Sequence, residues 1–198
     1  MNTYYSGVMD VIRDSLESID LDIYDQIINE SIEVLKSGGK IIASGLGKNV
    51  PICEKFVGTL NSLGLDARFL HTNSAVHGDL GMVGKNDIVY LLSKGGNTHE
   101  TVALAEHLKA RGTDTWLMTF TEKCKSAEVI DKRLIMHLIN EGTSGILYQI
   151  IPQRFILSSY RGLHLRSESE WELPLKTLRL IIPVAELEQG SAERTYGK

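Results

Sequence analysis

The sequence is short of the features that identify several classes of protein. Its 198 residues include only two cysteines, Cys53 and Cys124, which stand far apart and form no CxxC pattern. We therefore exclude a disulfide framework and a zinc cluster, and we expect a reducing compartment. Cys53 falls within a predicted helix, where we expect it to pack rather than to react.

Long apolar runs and an excess of positive charge are also lacking. No stretch approaches the roughly 18 uninterrupted apolar residues that a membrane-spanning helix requires. The formal net charge is −4, which provides no basic surface for nucleic acid. Residues 1–5 are polar, and no charged segment followed by an apolar run indicates a signal peptide. We expect a cytoplasmic protein with neither a membrane nor a nucleic-acid partner.

What remains is an ordinary globular composition. Apolar residues make up 42% of the chain and charged residues 23%, values typical of soluble domains. A chain of this length can bury one core, so we predict a single domain over residues 1–198. Apolar residues at three- and four-residue spacing predict N-terminal helices within residues 4–37. The sheet core is expected over residues 38–165, and the tail, 166–198, receives no structural assignment.

Five short apolar runs alternate with helical patterns. Nearly continuous apolar character is typical of strands that are covered on both faces. The alternation predicts an α/β fold, a three-layer αβα sandwich with a five-stranded parallel sheet in the flavodoxin-like order 2-1-3-4-5. The predicted strands are 40–44, 67–70, 87–92, 115–120 and 134–139.

Two glycine-containing loops follow the first and third predicted strands. In an open sheet of this order, ligands bind at the carboxyl ends of those two strands, where the strand order reverses. Glycine allows a ligand to approach the backbone, and the N-terminus of the following helix offers unpaired N–H groups to an anion. We therefore predict an anion site, with phosphate as its typical ligand. Its predicted binding residues are Gly47, Asn49, Ser93, Gly95, Gly96, Asn97 and Thr98.

A simpler interpretation of these loops stays open. The glycines can serve only to make tight turns, and Thr98 can serve only to cap its helix. The first loop, 45–49, matches neither a Walker A sequence nor a complete GxGxxG, so a dinucleotide site is the weaker hypothesis.

Proton-transfer chemistry is predicted at a histidine and a carboxylate. A polar stretch begins at His71 after the second strand and leads to the run 77–82, in which His77 precedes Gly78 and Asp79. The near-neutral titration of histidine suits His77 to proton transfer. Glu141 follows the fifth predicted strand, at the same edge of the sheet, although an ordinary surface role is the alternative. Structural roles are expected for the histidines within predicted helices and strands, His99, His107 and His137.

Taken together, these residues resemble the SIS-domain phosphosugar isomerases, and most closely the arabinose 5-phosphate isomerases of the KpsF/GutQ/KdsD group. The resemblance covers about residues 36–142 and is carried by 45–48, 71–82 and 93–100. The run 77–82 is the most specific part, because a generic SIS domain would match only the two loops.

The resemblance implies a reaction and roles for particular residues. It implies interconversion of D-arabinose 5-phosphate and D-ribulose 5-phosphate through a cis-enediol, for the Kdo of capsule or lipopolysaccharide. Ser93 and Thr98 would bind the phosphate, and His71 would contribute to substrate binding. Lys48 would lie near the phosphate or the enediolate, and His77 and Glu141 would be the acid and base. Neither a metal nor an organic cofactor is implied, and a homo-oligomer, a tetramer or a dimer, is expected.

The sequence departs from the usual pattern of this family at several positions. Family members usually carry Ser-Asn-Ser-Gly-Glu in the second loop, so that Asn97 stands where a glutamate is usual, and Asn49 replaces a serine. A later segment with a second histidine has no match, and His164 is the only histidine in that region. The sequence ends without a CBS pair, so we expect an enzyme reduced to its SIS domain. Two alternatives stay open: an isomerase of another phosphosugar, or a non-catalytic phosphosugar-binding regulatory module.

Overall fold

The structure, a computed structural model, describes residue 10, residues 13–15 and residues 17–137. Most of the first predicted helix, Glu141, His164 and the tail 166–198 lie outside the described residues, as do residues 138–165 of the predicted sheet core. No described helix is long and apolar enough to cross a membrane.

The described elements alternate between helix and strand. In chain order they are α1 (Leu21–Lys36), β1 (Ile41–Gly45), α2 (Val50–Ser62), β2 (Ala67–His71), α3 (Thr72–Val76), β3 (Ile88–Leu92), α4 (His99–Ala110), β4 (Asp114–Thr119), α5 (Lys125–Val129) and β5 (Arg133–Ile135). Short 3₁₀ turns lie at Gly47–Asn49 and Asp79–Met82.

The five strands form one parallel sheet in the order β2-β1-β3-β4-β5, which confirms the predicted fold class and strand order. All five residues of β1 are buried, as expected for a strand at the centre of a sheet with both faces covered. The three-layer sandwich follows from this double coverage.

Each face of the sheet has its own apolar core. On one face, α1 and α2 supply Ile27, Ile28 and Leu60 to a cluster that includes Tyr90 and Trp116. On the other face, α3 and α4 supply Ala75, Leu104 and Leu108 to a cluster that includes Leu70 and Val89. Alternate residues of each strand face opposite clusters, because successive side chains of a strand point to opposite faces.

An ion-pair cluster joins α1 to the sheet near the amino ends of the strands. Lys132 Nζ lies 3.0 Å from Glu30 Oε2 and 2.7 Å from Asp114 Oδ1. Trp116 Nε1 donates to the same Glu30 oxygen at 2.7 Å. Burial opposes ionisation of Glu30, but hydrogen bonds from Gln26, Trp116 and Lys132 lower its pKa below the usual value. The cluster lies at the opposite edge of the sheet from the predicted ligand site.

The fifth strand is shorter than predicted. It spans Arg133–Ile135 rather than 134–139, because its neighbour β4 ends at Thr119, which pairs with Ile135. His137 is therefore an exposed residue beyond the strand, and residues 138–139 lie outside the described part. The short helices α3 and α5 occupy stretches for which the sequence predicted no helix.

Candidate functional site

The pairing register brings three chain segments to one level of the sheet. Gly45, the last residue of β1, pairs with His71 at the end of β2 and with Leu92 at the end of β3. The first loop, 45–49, the segment after His71, and the second loop, 93–98, therefore all begin at one carboxyl edge. In a parallel sheet with this strand order, that edge is where ligands bind.

The first loop is compact and tied to the neighbouring strand. A β-carbon at Gly45 would lie 2.8 Å from the Asn49 β-carbon and 3.0 Å from Cys53 Sγ, so only glycine fits there. Asn49 Nδ2 donates to the Leu92 carbonyl at 3.2 Å. The Asn49 side chain, which was predicted to bind substrate, thus uses one of its N–H donors to join the first loop to the end of β3. Gly47 and Lys48 are exposed on the outer side of this loop.

Cys53, beneath the first loop, is fully buried, which confirms its predicted packing role. Burial, together with the nearby Glu54 carboxylate, raises the pKa of its thiol to about 12. The thiol is therefore protonated at neutral pH and unsuited to nucleophilic chemistry.

The second loop is folded around Ser93 and held by the segment after β4. Ser93 is 6% exposed, and its Oγ accepts from the Gly96 N–H at 3.2 Å. The Lys94 carbonyl accepts from Thr119 Oγ1 at 2.8 Å and from the Phe120 N–H at 3.0 Å. These bonds fix the loop backbone before any ligand is present.

The far end of the second loop lies on α5. The Gly96 carbonyl accepts from the Ser126 N–H at 3.0 Å, and Asn97 Oδ1 accepts from the Lys125 N–H at 2.9 Å. Gly96 has φ +59°, the left-handed region that favours glycine. Gly95 and Asn97 are both exposed.

Helix α4 begins at the end of this loop without a side-chain cap. Thr98 occupies the N-cap position, but its side chain makes no capping hydrogen bond. The capping role considered for Thr98 is therefore not seen in the structure. Four N–H groups at the start of a helix have no partner within the helix, and together with the helix dipole they attract an anion. The second loop thus offers an anion site on a 12-residue helix.

The histidine segment begins at the same edge, at the end of β2. His71 is half-buried at the end of β2, with its ring 6.3 Å from that of Phe69. Thr72 Oγ1 lies 3.1 Å from Ser44 Oγ, and both hydroxyls are buried, so α3 is tied to β1. His77 follows α3 and is exposed, roughly one and a half helical turns beyond His71.

The structure therefore brings most of the predicted binding residues to one edge of the sheet. His77 is exposed on the segment that follows β2, and Glu141 lies outside the described residues. The described part contains no group of three or more metal-ligating residues. What the edge provides is backbone N–H groups, hydroxyls, amides and lysines, which can bind an oxyanion.

Some supporting residues were missed by sequence reasoning. Thr119 and Cys124 hold the second loop in place, but they come from a strand end and a stretch that the sequence alone left without a role. Thr119 carried a signal, since it is a polar residue at the carboxyl end of an apolar strand. Cys124 carried none, because its position against Gly96 depends on tertiary packing.

Comparison with known proteins gives this edge a context. The model of the SIS domain family matches residues 34–158, a range that includes both loops. The arabinose 5-phosphate isomerase KdsD of Pseudomonas aeruginosa is 34% identical over 120 residues, which make up 59% of this chain and 37% of that protein. The chain thus spans less than two fifths of the length of this curated relative.

Solved structures share the fold. A phosphosugar isomerase described as involved in capsule formation in Bacteroides fragilis superposes with a TM-score of 0.66 at 21% identity, covering 89% of this chain and 88% of that one. The Escherichia coli CFT073 protein c3406, solved in complex with a phosphosugar, superposes with a TM-score of 0.61 at 24% identity, covering 91% and 93%. At these identities, the likeness is one of fold.

Proposed function

Because this chain belongs to the SIS domain family, we propose that it is an aldose–ketose isomerase of phosphosugars. The observation that carries the proposal is the register at Gly45, which sets the two loops side by side at the carboxyl edge. The uncapped start of α4 adds N–H groups that can bind the phosphate.

The phosphate-binding step can be assigned to particular groups. Ser93 Oγ already accepts a hydrogen bond from the Gly96 N–H, so its own proton remains available for a phosphate oxygen. The Thr98 hydroxyl, which caps nothing, is available in the same way. Lys48, exposed in the first loop, supplies a positive charge near the phosphate or a developing enediolate.

The specific reaction proposed is the interconversion of D-arabinose 5-phosphate and D-ribulose 5-phosphate, for cytoplasmic Kdo synthesis. It is supported by the similarity to KdsD. A base removes the C2 proton of the open-chain aldose while O1 takes up a proton, which gives a cis-enediol. The O2 hydroxyl then loses its proton as C1 is protonated, which gives the ketose. We assign the acid and base roles to His77 and Glu141, with His71 as a further binding residue, and we expect a homodimer or homotetramer.

A second candidate function is a non-catalytic phosphosugar-binding module. It is favoured by the neutral amide of Asn97 in the second loop, which cannot take up a proton. The other alternative is an isomerase of a different phosphosugar. It would use the same phosphate site and would differ only in the sugar that it converts.

The test is proton exchange followed by NMR, with the protein and D-arabinose 5-phosphate in D2O. Deuterium at C2 together with appearance of ribulose 5-phosphate is expected for the wild type and not for His77→Ala. His107→Ala is the matched control, because His107 is an exposed histidine on α4 whose ring nitrogen lies 2.6 Å from the Ala103 carbonyl one turn earlier. Saturable binding without exchange would favour the non-catalytic module.

A further inference from the structure

The side chain of Asn97 has a defined orientation. Its oxygen and nitrogen cannot be told apart by shape alone, and they must be assigned from their partners. The partner here is the Lys125 backbone N–H, 2.9 Å from Oδ1. Because a backbone N–H only donates, the side-chain atom that faces it must be the carbonyl oxygen.

This orientation determines what the other end of the amide can do. Nδ2 carries two N–H donors, and the structure gives it no partner among residues 17–137. A ligand atom that meets Nδ2 must therefore be an acceptor. The amide does not ionise near neutral pH, so it can recognise a ligand but cannot serve as an acid or base.

Two hydrogen bonds from α5 hold Asn97 and the residue before it in place. Lys125 begins α5, and the next residue, Ser126, donates its N–H to the Gly96 carbonyl at 3.0 Å. Two consecutive N–H groups of α5 thus hold two consecutive residues of the second loop. A recognition group that is fixed before binding loses little conformational freedom when the ligand arrives.

We propose that Asn97 is a substrate-recognition residue that donates from Nδ2 to an oxygen of the sugar portion of the phosphosugar. This inference rests on the proposed function, in which the phosphate is bound by the N–H groups at the start of α4 and by Ser93 and Thr98. Asn97 is exposed and stands next to Thr98 at the start of α4, so a ligand whose phosphate is bound there can extend its sugar portion towards this side chain.

The test compares two ligands in three variants by calorimetry. The ligands are D-arabinose 5-phosphate and inorganic phosphate, and the variants are Asn97→Asp, Asn97→Ala and Asn29→Ala. Aspartate keeps an acceptor for the Lys125 N–H but has no donor, whereas alanine loses both. Asn29 is an exposed asparagine on α1 and serves as the matched control.

We expect Asn97→Asp to retain the wild-type melting temperature and Asn97→Ala to lower it. The negative charge of aspartate lowers the affinity for both ligands by a common factor. Loss of the Nδ2 donor lowers the affinity for the sugar phosphate by about a further five- to tenfold. For Asn97→Ala, the sugar phosphate is expected to lose more affinity than inorganic phosphate. Asn29→Ala is expected to bind both ligands like the wild type.

The outcomes separate this inference from the proposed function. A wild-type protein that binds neither ligand would overturn the proposed function, and this inference with it. If the wild type binds both ligands but Asn97→Asp lowers the two affinities by the same factor, this inference fails and the proposed function stands. A higher kcat for isomerisation in Asn97→Asp would assign proton transfer to this position and would also overturn it.

Discussion

The backbone of Gly96 lies directly against the thiol of Cys124. A β-carbon at Gly96 would be 3.0 Å from the Cys124 β-carbon and closer still to its sulfur, and Gly96 also has φ +59°. We expect Gly96→Ala to displace the second loop and to weaken binding of D-arabinose 5-phosphate at least tenfold. Calorimetric titration measures this loss.

A second variant identifies the cause of that loss. Gly96→Ala combined with Cys124→Ala removes the sulfur, so we expect it to recover part of the affinity, while the left-handed backbone still costs about 1 kcal/mol. Gly58→Ala is the control for stability, because Gly58 is exposed on α2 with open space around it. Full wild-type binding by Gly96→Ala would contradict the steric account.

The sheet was predictable because its signal is local. Apolar runs such as 87–92 carry their own strand pattern, and the crossover rules then fix the order. Only the edge strand β5 was misjudged, since its length depends on where β4 ends. The two loops were also predictable from glycines and polar residues at strand ends. The contacts of Asn49 and Asn97, by contrast, join residues 43 and 28 positions apart, and no local pattern specifies them.

Asn49 is expected to stabilise the protein by hydrogen-bonding the first loop to the end of β3. Replacing it with alanine removes the hydrogen bond to the Leu92 carbonyl, which should lower the free energy of unfolding by about 1 kcal/mol. Because the two loops then move more independently, binding of the sugar phosphate should also weaken. Urea unfolding and calorimetry measure the two effects, with Asn29→Ala as control. Loss of binding without loss of stability would instead indicate that Asn49 contacts the ligand directly.

Asp87 gives stability a defined dependence on pH. This carboxylate is 4% exposed, lies 2.6 Å from Lys40 Nζ, and accepts from the backbone N–H groups of Lys40 and Gly84. Burial alone would raise its pKa, but these partners lower it below the usual value. Its contribution is therefore fully present above the unfolded-state pKa of about 3.9 and is lost as pH falls through the lower folded-state pKa.

Asp87→Asn is therefore expected to lower the free energy of unfolding by about 2–4 kcal/mol at pH 7 and to flatten its decline at acid pH. Denaturant unfolding between pH 7 and pH 2 measures both effects. Asp66→Asn is the control, because Asp66 and Arg68 form a pair in which both side chains are more than half exposed, worth less than about 1 kcal/mol. Equal acid sensitivity in the wild type and Asp87→Asn would contradict the assignment.

The pair formed by Glu30 and Lys132 is expected to stabilise the fold without affecting the ligand site. Lys132 is about one third exposed and Glu30 about one quarter, so solvent screens their attraction and we expect a coupling energy of about 1 kcal/mol. A double-mutant cycle with Glu30→Gln and Lys132→Met isolates that energy, since glutamine keeps an oxygen for the Trp116 N–H. Binding of D-arabinose 5-phosphate should stay unchanged in all three variants, because the pair lies at the amino edge of the sheet. A loss of affinity in Glu30→Gln would contradict this expectation and would mean that α1 affects the first loop through the core cluster that it shares with α2 and Cys53.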